Sequence, residues 1–177
     1  PGRSLGPSVT AVDNGRLDLQ DGLQFTVSQS GASPDIIALQ KAAKQGGAIT
    51  VAVVNAPDSP LAKQADIVLN LHAGKEHSVA ATKSCIAGAV ALSAVTAAIS
   101  GDPSLQRALA RLPEALELTT NAAIDPGVVS RLAAINAMYV GSRGPGLAVA
   151  LEAAFEDQET SGIHADHFIP AAVWPGH

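Results

Sequence analysis

The sequence predicts an α/β protein built on a parallel sheet, and three observations carry that prediction. The 177 residues are 47% hydrophobic but only 3% aromatic. A core so rich in alanine and valine suits helices packed closely on strands of small branched side chains, not an aromatic-rich β sandwich. The run "AITVAVVN" (48–55) is continuously apolar and β-branched, bounded by Gly46-Gly47 and by "APDSP", as a strand buried on both faces should be. Strand-like and helix-like segments alternate around it, as βαβ units require.

The elements follow in order. Residues 1–21 mix Gly, Pro and polar residues with a short strand-like patch, so the chain is expected to enter through connecting structure. "GLQFTVS" (22–28) predicts a short buried strand and "SPDIIALQKAAKQGG" (33–47) a helix. Ser33 is placed as N-cap and Pro34 in the first turn, Asp35 complements the positive helix end, and Gly46-Gly47 stops it. The strand at 48–55 completes a βαβ unit. "SPLAKQA" (59–65) predicts a short helix and "DIVLNLHA" (66–73) a third strand, with right-handed crossovers in a doubly wound sheet.

A long helix is expected from about 78 to 100. "GDPSLQRALARLPEALELTT" (101–120) should be helical with a break at Pro113, and "DPGVVSRLAAIN" (125–136) amphipathic. "AMYVGS" (137–142) is again strand-like, and residues 143–168 turn through glycines into a helix ending at Gly162. The expected domains are therefore 1–122 and 123–177, the second holding the start of another α/β unit.

Several function classes are disfavoured. The formal charge is −5, from 16 acidic and 11 basic residues. No segment concentrates Lys and Arg into a phosphate-backbone footprint, so nucleic acid is not an expected partner. The single cysteine, Cys85, permits no intramolecular disulfide and suits a reducing, cytoplasmic setting. It reads as a small buried hydrophobe. No basic-then-apolar leader opens the sequence. The apolar run at 85–100 is shorter than the ~20 residues of a membrane span, so a buried helix and no membrane are expected.

Four constellations could carry chemistry. "SQSGASPD" (28–35) lies where a strand hands over to a helix, whose first N–H groups are unpaired and whose dipole favours an anion. Ser28, Ser30 and Ser33 offer hydroxyls, Gln29 an amide, and Gly31 lets backbone come close, which together could surround a phosphate without lysine. The same residues could equally form a tight turn and a cap.

"AGKEHSVAATK" (73–83) follows the third strand, with Ser78 as a possible cap and Thr82 and Lys83 about one turn into the helix. Both turns should open on the same carboxyl edge of the sheet, where ligands of open α/β folds bind. Glu76 and Lys83 could contact substrate or pair with each other. "GSRGPG" (141–146) fails the dinucleotide pattern, because Val149 stands where the third glycine belongs. "HADH" (164–167) spaces two histidines for a helical metal site but offers no third ligand. Neither a cofactor nor a metal is expected.

Together, "VSQSGASPDIIALQKAAKQGGAITVAVVNAPDSPLAKQADIVLNLHAGKEHSVAATKS" resembles the sugar isomerase (SIS) domain of the family that includes the isomerase part of glutamine–fructose-6-phosphate aminotransferase, sugar-phosphate isomerases and amino-sugar deaminases. "VGSRGPGLAVALEAAFEDQETSGIHADHF" resembles the opening of the family's second SIS domain, and the likeness covers about residues 8–168.

The resemblance implies a three-layer αβα sandwich with a flavodoxin-like parallel sheet, a homodimer, and binding of a phosphorylated sugar or amino sugar such as fructose 6-phosphate or glucosamine 6-phosphate. It places Ser28, Gln29, Ser30 and Ser33 on the phosphate loop and Val79, with Glu76, Thr82 and Lys83 near it, on the segment lining the sugar. It also places Glu159 on the glutamate that moves a proton between C1 and C2. A carboxylate tuned toward neutrality by partial desolvation can do that work. The expected function is aldose–ketose isomerisation or amino-sugar deamination, with a non-catalytic sugar-phosphate module as the alternative.

The chain departs from the family at three places. Glu156 and Gln158 stand where relatives carry lysines, and Pro175 stands at a family histidine, with His177 nearby. The first strand and turn of the first domain should precede residue 1.

Overall fold

The computed structural model describes residues 18–144, 146–162 and 164–168. The segment expected to open the chain as connecting structure, up to residue 17, and the region around Pro175 and His177 lie outside them. The described residues fall into two compact units, the first ending at Leu112 except that Ser78–Ala80 group with the second.

In the first unit, β1 (Leu23–Ser28), β2 (Ile49–Val54) and β3 (Ile67–Asn70) form a parallel sheet in the order β1-β2-β3. Ser28 aligns with Val54 and Val54 with Asn70, so all three carboxyl ends reach one edge. The connections are α1 (Pro34–Gln45) and α2 (Pro60–Gln64), and α3 (Thr82–Ser100) follows β3. Alternation along the strands assigns the layers. Ala52 and Val54 pack with Leu61 and Ala62 of α2, and Ile36 and Ile37 of α1 lie against that cluster.

Val27 and Val53 are paired and take the opposite face. There α3 lies so close that a Cβ on Gly88 would come within 3.0 Å of Val27 Cγ1. Helices on both faces of a parallel sheet give the expected αβα sandwich. Val51 to Val54 are all buried, the reason β2 reads as an unbroken apolar run. Burying each of the three valines fully is worth about 1.5–3 kcal/mol.

Three expectations for the helices are corrected. The long helix begins at Thr82, not near 78, and its N-cap position is Ala81 with no side-chain cap bond. Ser78 does not cap it, because the Glu76 carboxylate accepts the Ser84 N–H instead. Pro113 does not break α4 (Pro103–Thr120), which runs through it. A proline removes one backbone donor, and the ladder on either side is long enough to continue the helix.

The third correction concerns burial. α3 is 19 residues long, long and apolar enough to cross a membrane by length and composition alone, and it is not the buried helix expected. Its sheet-facing positions Ser84, Gly88 and Ala97 are buried, Cys85 is half-buried, and Ile86 and Ile99 are exposed.

In the second unit, α5 (Pro126–Leu132) precedes β4 (Ala137–Gly141), α6 (Gly146–Ser161) and β5 (His164–Phe168). β4 and β5 pair in parallel from Ala137 with His164 to Gly141 with Phe168, completing a second βαβ unit. Ala150 and Ala154 of α6 and Ala165 of β5 are buried. Gly162 takes the left-handed conformation, φ +64°, and ends α6 as expected. "HADH" lies on β5 and not on a helix, so the helical spacing proposed for its histidines does not apply.

Candidate phosphate loop and its surroundings

β1 ends at Ser28 and α1 begins at Pro34, leaving a short loop on the carboxyl edge. Gly31 is buried in it with φ +59°. A Cβ there would fall 2.1 Å from Ser59 Oγ, and the Gly31 carbonyl accepts the Leu61 N–H at 3.0 Å. The loop is therefore seated on the start of α2, and only glycine permits that approach.

Ser28 Oγ accepts the Gly31 N–H at 3.0 Å and Ser30 Oγ accepts the Ala32 N–H at 3.3 Å. Each hydroxyl acts as acceptor to the backbone, so its own proton remains for a donor bond outward. Ser33 holds N-cap backbone geometry, φ −66° and ψ 122°, but its side chain makes no cap bond. The α1 ladder starts with Ile37 N–H to Ser33 O at 3.1 Å, so the N–H groups of Asp35 and Ile36 have no intrahelical acceptor. Gln29 and Ser30 are exposed, Ser28 and Ser33 half-buried.

The second predicted segment reaches the same edge of the first unit. Gly88 packs on Val27, and Thr82 lies six residues earlier, about 9 Å along the helix, toward the end of β1. Thr82 and Lys83 open α3 and are exposed. Glu76 has a side chain only 8% exposed. Its Oε1 accepts Ser84 N–H at 2.7 Å and Ser84 Oγ–H at 2.9 Å, and its Oε2 lies 3.7 Å from Lys83 Nζ.

Burial pushes the Glu76 carboxyl up, but the Ser84 hydrogen bonds and the Lys83 cation outweigh it and hold the group below its ordinary value. Lys83 Nζ also donates to the Lys75 carbonyl at 2.7 Å. Glu76 and Lys83 thus lie within ion-pair distance of each other. Val79 is 81% exposed and groups with the second unit.

Glu159 lies on the last turns of α6, exposed, with no hydrogen-bond or ion-pair partner among the described residues. Neighbouring Gln158 donates its amide to the Ala165 carbonyl, tying α6 to β5. The second unit also holds a cleft of about 530 Å³ between α5, the start of β4 and the end of α6, lined by Leu132, Met138 and Asp157 among others. No predicted site residue lines it. Sequence reasoning passed over Asn55, which closes β2 at the same edge as Ser28. Its signal was a polar residue ending an otherwise apolar strand.

The SIS domain family model matches residues 19–98, spanning β1 to most of α3. The chain belongs to the SIS domain family. Across 160 residues it is 36% identical to the isomerizing glutamine–fructose-6-phosphate aminotransferase of Zymomonas mobilis, covering 84% of this chain and 26% of that protein. The Aquifex aeolicus enzyme of the same name is 36% identical over 145 residues, covering 80% and 24%.

Among solved structures, a candidate phosphosugar isomerase from Silicibacter pomeroyi superposes with a TM-score of 0.89 at 40% identity, covering 97% of this chain and 52% of that one. The C-terminal domain of glucosamine-fructose-6-phosphate aminotransferase from Francisella tularensis shares the fold, with a TM-score of 0.75 at 22% identity and 94% and 50% coverage. The chain thus spans about a quarter of the curated relatives and about half of the solved chains. These relatives share the SIS α/β architecture on which the serine loop of this chain is set.

Proposed function

We propose that this SIS protein binds a phosphorylated sugar, with the loop Ser28–Ser33 holding the phosphate. The observation that carries the reading is at Ser33. It occupies an N-cap position without using its hydroxyl as a cap, so the capping explanation does not account for it. With Ser28 and Ser30 already accepting from backbone N–H groups, three hydroxyl protons and the first-turn N–H groups of α1 are available to a dianion. Within the first unit a sugar contact falls to Thr82 at the start of α3, while Glu76 and Lys83 hold the segment that precedes the helix.

The activity supported by the family likeness is aldose–ketose isomerisation or amino-sugar-phosphate deamination. In the isomerisation, the Glu159 carboxylate removes the proton from whichever of C1 and C2 neighbours the carbonyl of the open-chain sugar, leaving an enediolate. A proton passes between O1 and O2, and protonated Glu159 returns its proton to the other carbon, the former carbonyl carbon. Relatives' names support this class, among them isomerizing aminotransferases and a phosphosugar isomerase. A cytoplasmic setting fits the lone thiol of Cys85, and a homodimer fits Ile86 and Ile99 left exposed on α3.

A second reading, a sugar-phosphate sensor without turnover, is favoured by one specific observation. Glu156 and Gln158 replace the lysines expected of relatives, and the Gln158 amide is engaged with Ala165. An acidic or engaged side chain there supplies no cation for developing negative charge.

The test pairs calorimetry with turnover. Fructose 6-phosphate and glucosamine 6-phosphate should bind, and Ser30→Ala with Ser33→Ala should weaken binding by about 2–5 kcal/mol. Unchanged affinity in the double variant would show that the loop is only a turn. Binding without turnover selects the sensor reading.

A further inference from the structure

We infer that Asn55 and Glu76 are positioning residues that together fix the segment Ala73–Glu76 at the carboxyl edge of the sheet, and so set the sugar-contacting side of the site. This inference rests on the sugar-phosphate reading above.

Asn55 follows directly on β2. Its Nδ2–H donates to the Gly74 carbonyl at 2.6 Å and its Oδ1 accepts the Ala73 N–H at 2.9 Å. One side chain thereby reproduces both bonds of a strand neighbour just where the β2–β3 ladder gives out, after Leu71 N–H to Val54 O at 2.9 Å. The help is needed, because the chain turns twice there: His72 has φ +52° and Gly74 φ +72°. A non-glycine residue in that region is unfavourable unless its surroundings enforce it.

At the other end of the segment, the Lys75 carbonyl takes the Lys83 ammonium and Glu76 takes Ser84. Four consecutive residues, Ala73 to Glu76, are therefore each bonded to a fixed element, β2 on one side and α3 on the other. Both polar atoms of Asn55 and both carboxylate oxygens of Glu76 are engaged by the protein itself. They are therefore assigned to holding the loop and not to touching the sugar. The serine loop follows β1, whereas the segment Ala73–Glu76 follows β3, and the loop shares none of these bonds. Loss of either anchor should leave phosphate binding intact and damage what the sugar adds.

Three variants of the protein test this: Asn55→Ala, Asn55→Asp, which keeps the acceptor but loses the donor, and Glu76→Ala, which removes the acceptor. In the unliganded protein, amide exchange at Ala73 should speed up by about tenfold in Asn55→Ala and less in Asn55→Asp, and at Ser84 by about tenfold in Glu76→Ala. By calorimetry, fructose 6-phosphate affinity should fall by about tenfold while inorganic phosphate changes by less than about twofold.

Unchanged exchange overturns the anchoring. Equal weakening of both ligands, or no loss of sugar-phosphate affinity despite faster exchange, overturns the link to the sugar. If the unaltered protein binds inorganic phosphate but gains nothing from the sugar, the sugar-phosphate reading itself has failed, and the exchange data still decide whether the anchors exist.

Discussion

Ser28 and Ser30 show how a hydroxyl can stabilise a turn and remain available to a ligand. Each accepts a backbone N–H within the loop, which polarises the O–H toward an incoming anion. Gly31 is what allows the geometry. Gly31→Ala puts a Cβ on a residue at φ +59°, 2.1 Å from Ser59 Oγ. The left-handed conformation alone costs an alanine about 1–2 kcal/mol, and the clash adds to it. Chemical denaturation should show at least that loss, with phosphate affinity reduced alongside. At Glu159 the expectation is kinetic: in an active protein, Glu159→Gln lowers kcat by about 10²–10⁴ with little change in sugar-phosphate affinity. The serines were legible because their types and spacing are local. That Ser33 leaves its hydroxyl out of the cap was not, because a cap bond depends on a side-chain torsion that no pattern encodes.

The strands and helices of the first unit were legible for the same local reason: β-branched runs, Gly stops and Pro at first helical positions. The start of α3 was not. Its first turn is satisfied by Glu76, a residue before the helix, so Ser78 gave a false cap signal. On the opposite edge of the sheet, Asp66 joins β2 to the start of β3. Its Oδ2 accepts Thr50 N–H at 2.9 Å and Thr50 Oγ–H at 2.7 Å, and Lys44 Nζ lies 2.7 Å from Oδ1. The Lys44 hydrogen bond foremost, then those from Thr50, hold this carboxyl well below its ordinary value of 3.8. A carboxyl depressed in the folded state adds stability at pH above its unfolded value. That contribution is lost progressively as pH falls below it. The denaturation midpoint should therefore drop on acidification from about pH 5 toward pH 3, and Asp66→Asn should flatten that part of the profile. A variant with the unaltered protein's acid dependence would show that the Asp66 bonds carry no stability. Pro113 inside α4 gives a second element-scale expectation: Pro113→Ala restores a helical donor and should raise stability, by up to about 3 kcal/mol.

For the whole molecule, composition and strand–helix alternation were enough for an α/β class, because close helix–sheet packing needs many small apolar residues. The three layers came from the family resemblance, but which helix covers which face was not legible, since that follows from strand register: Ala52 and Val54 face α1 and α2, while Val27 meets Gly88 of α3. Nor was the exposure of α3, whose apolar face reads in sequence as interior. The second unit repeats the first unit's logic, a strand, a helix and a parallel partner strand, yet its histidines fall on a strand and not on a helix. The serine loop of the first unit is proposed to recognise the phosphate of a phosphorylated sugar. A titration followed by backbone amide NMR tests this most directly, with glucosamine 6-phosphate against glucosamine. Saturable shifts are expected at the amides of Ser28–Ser33, Asp35 and Ile36 with the phosphorylated sugar, and none there with glucosamine. Shifts at those amides that are equal for both sugars, or absent for both, would contradict it.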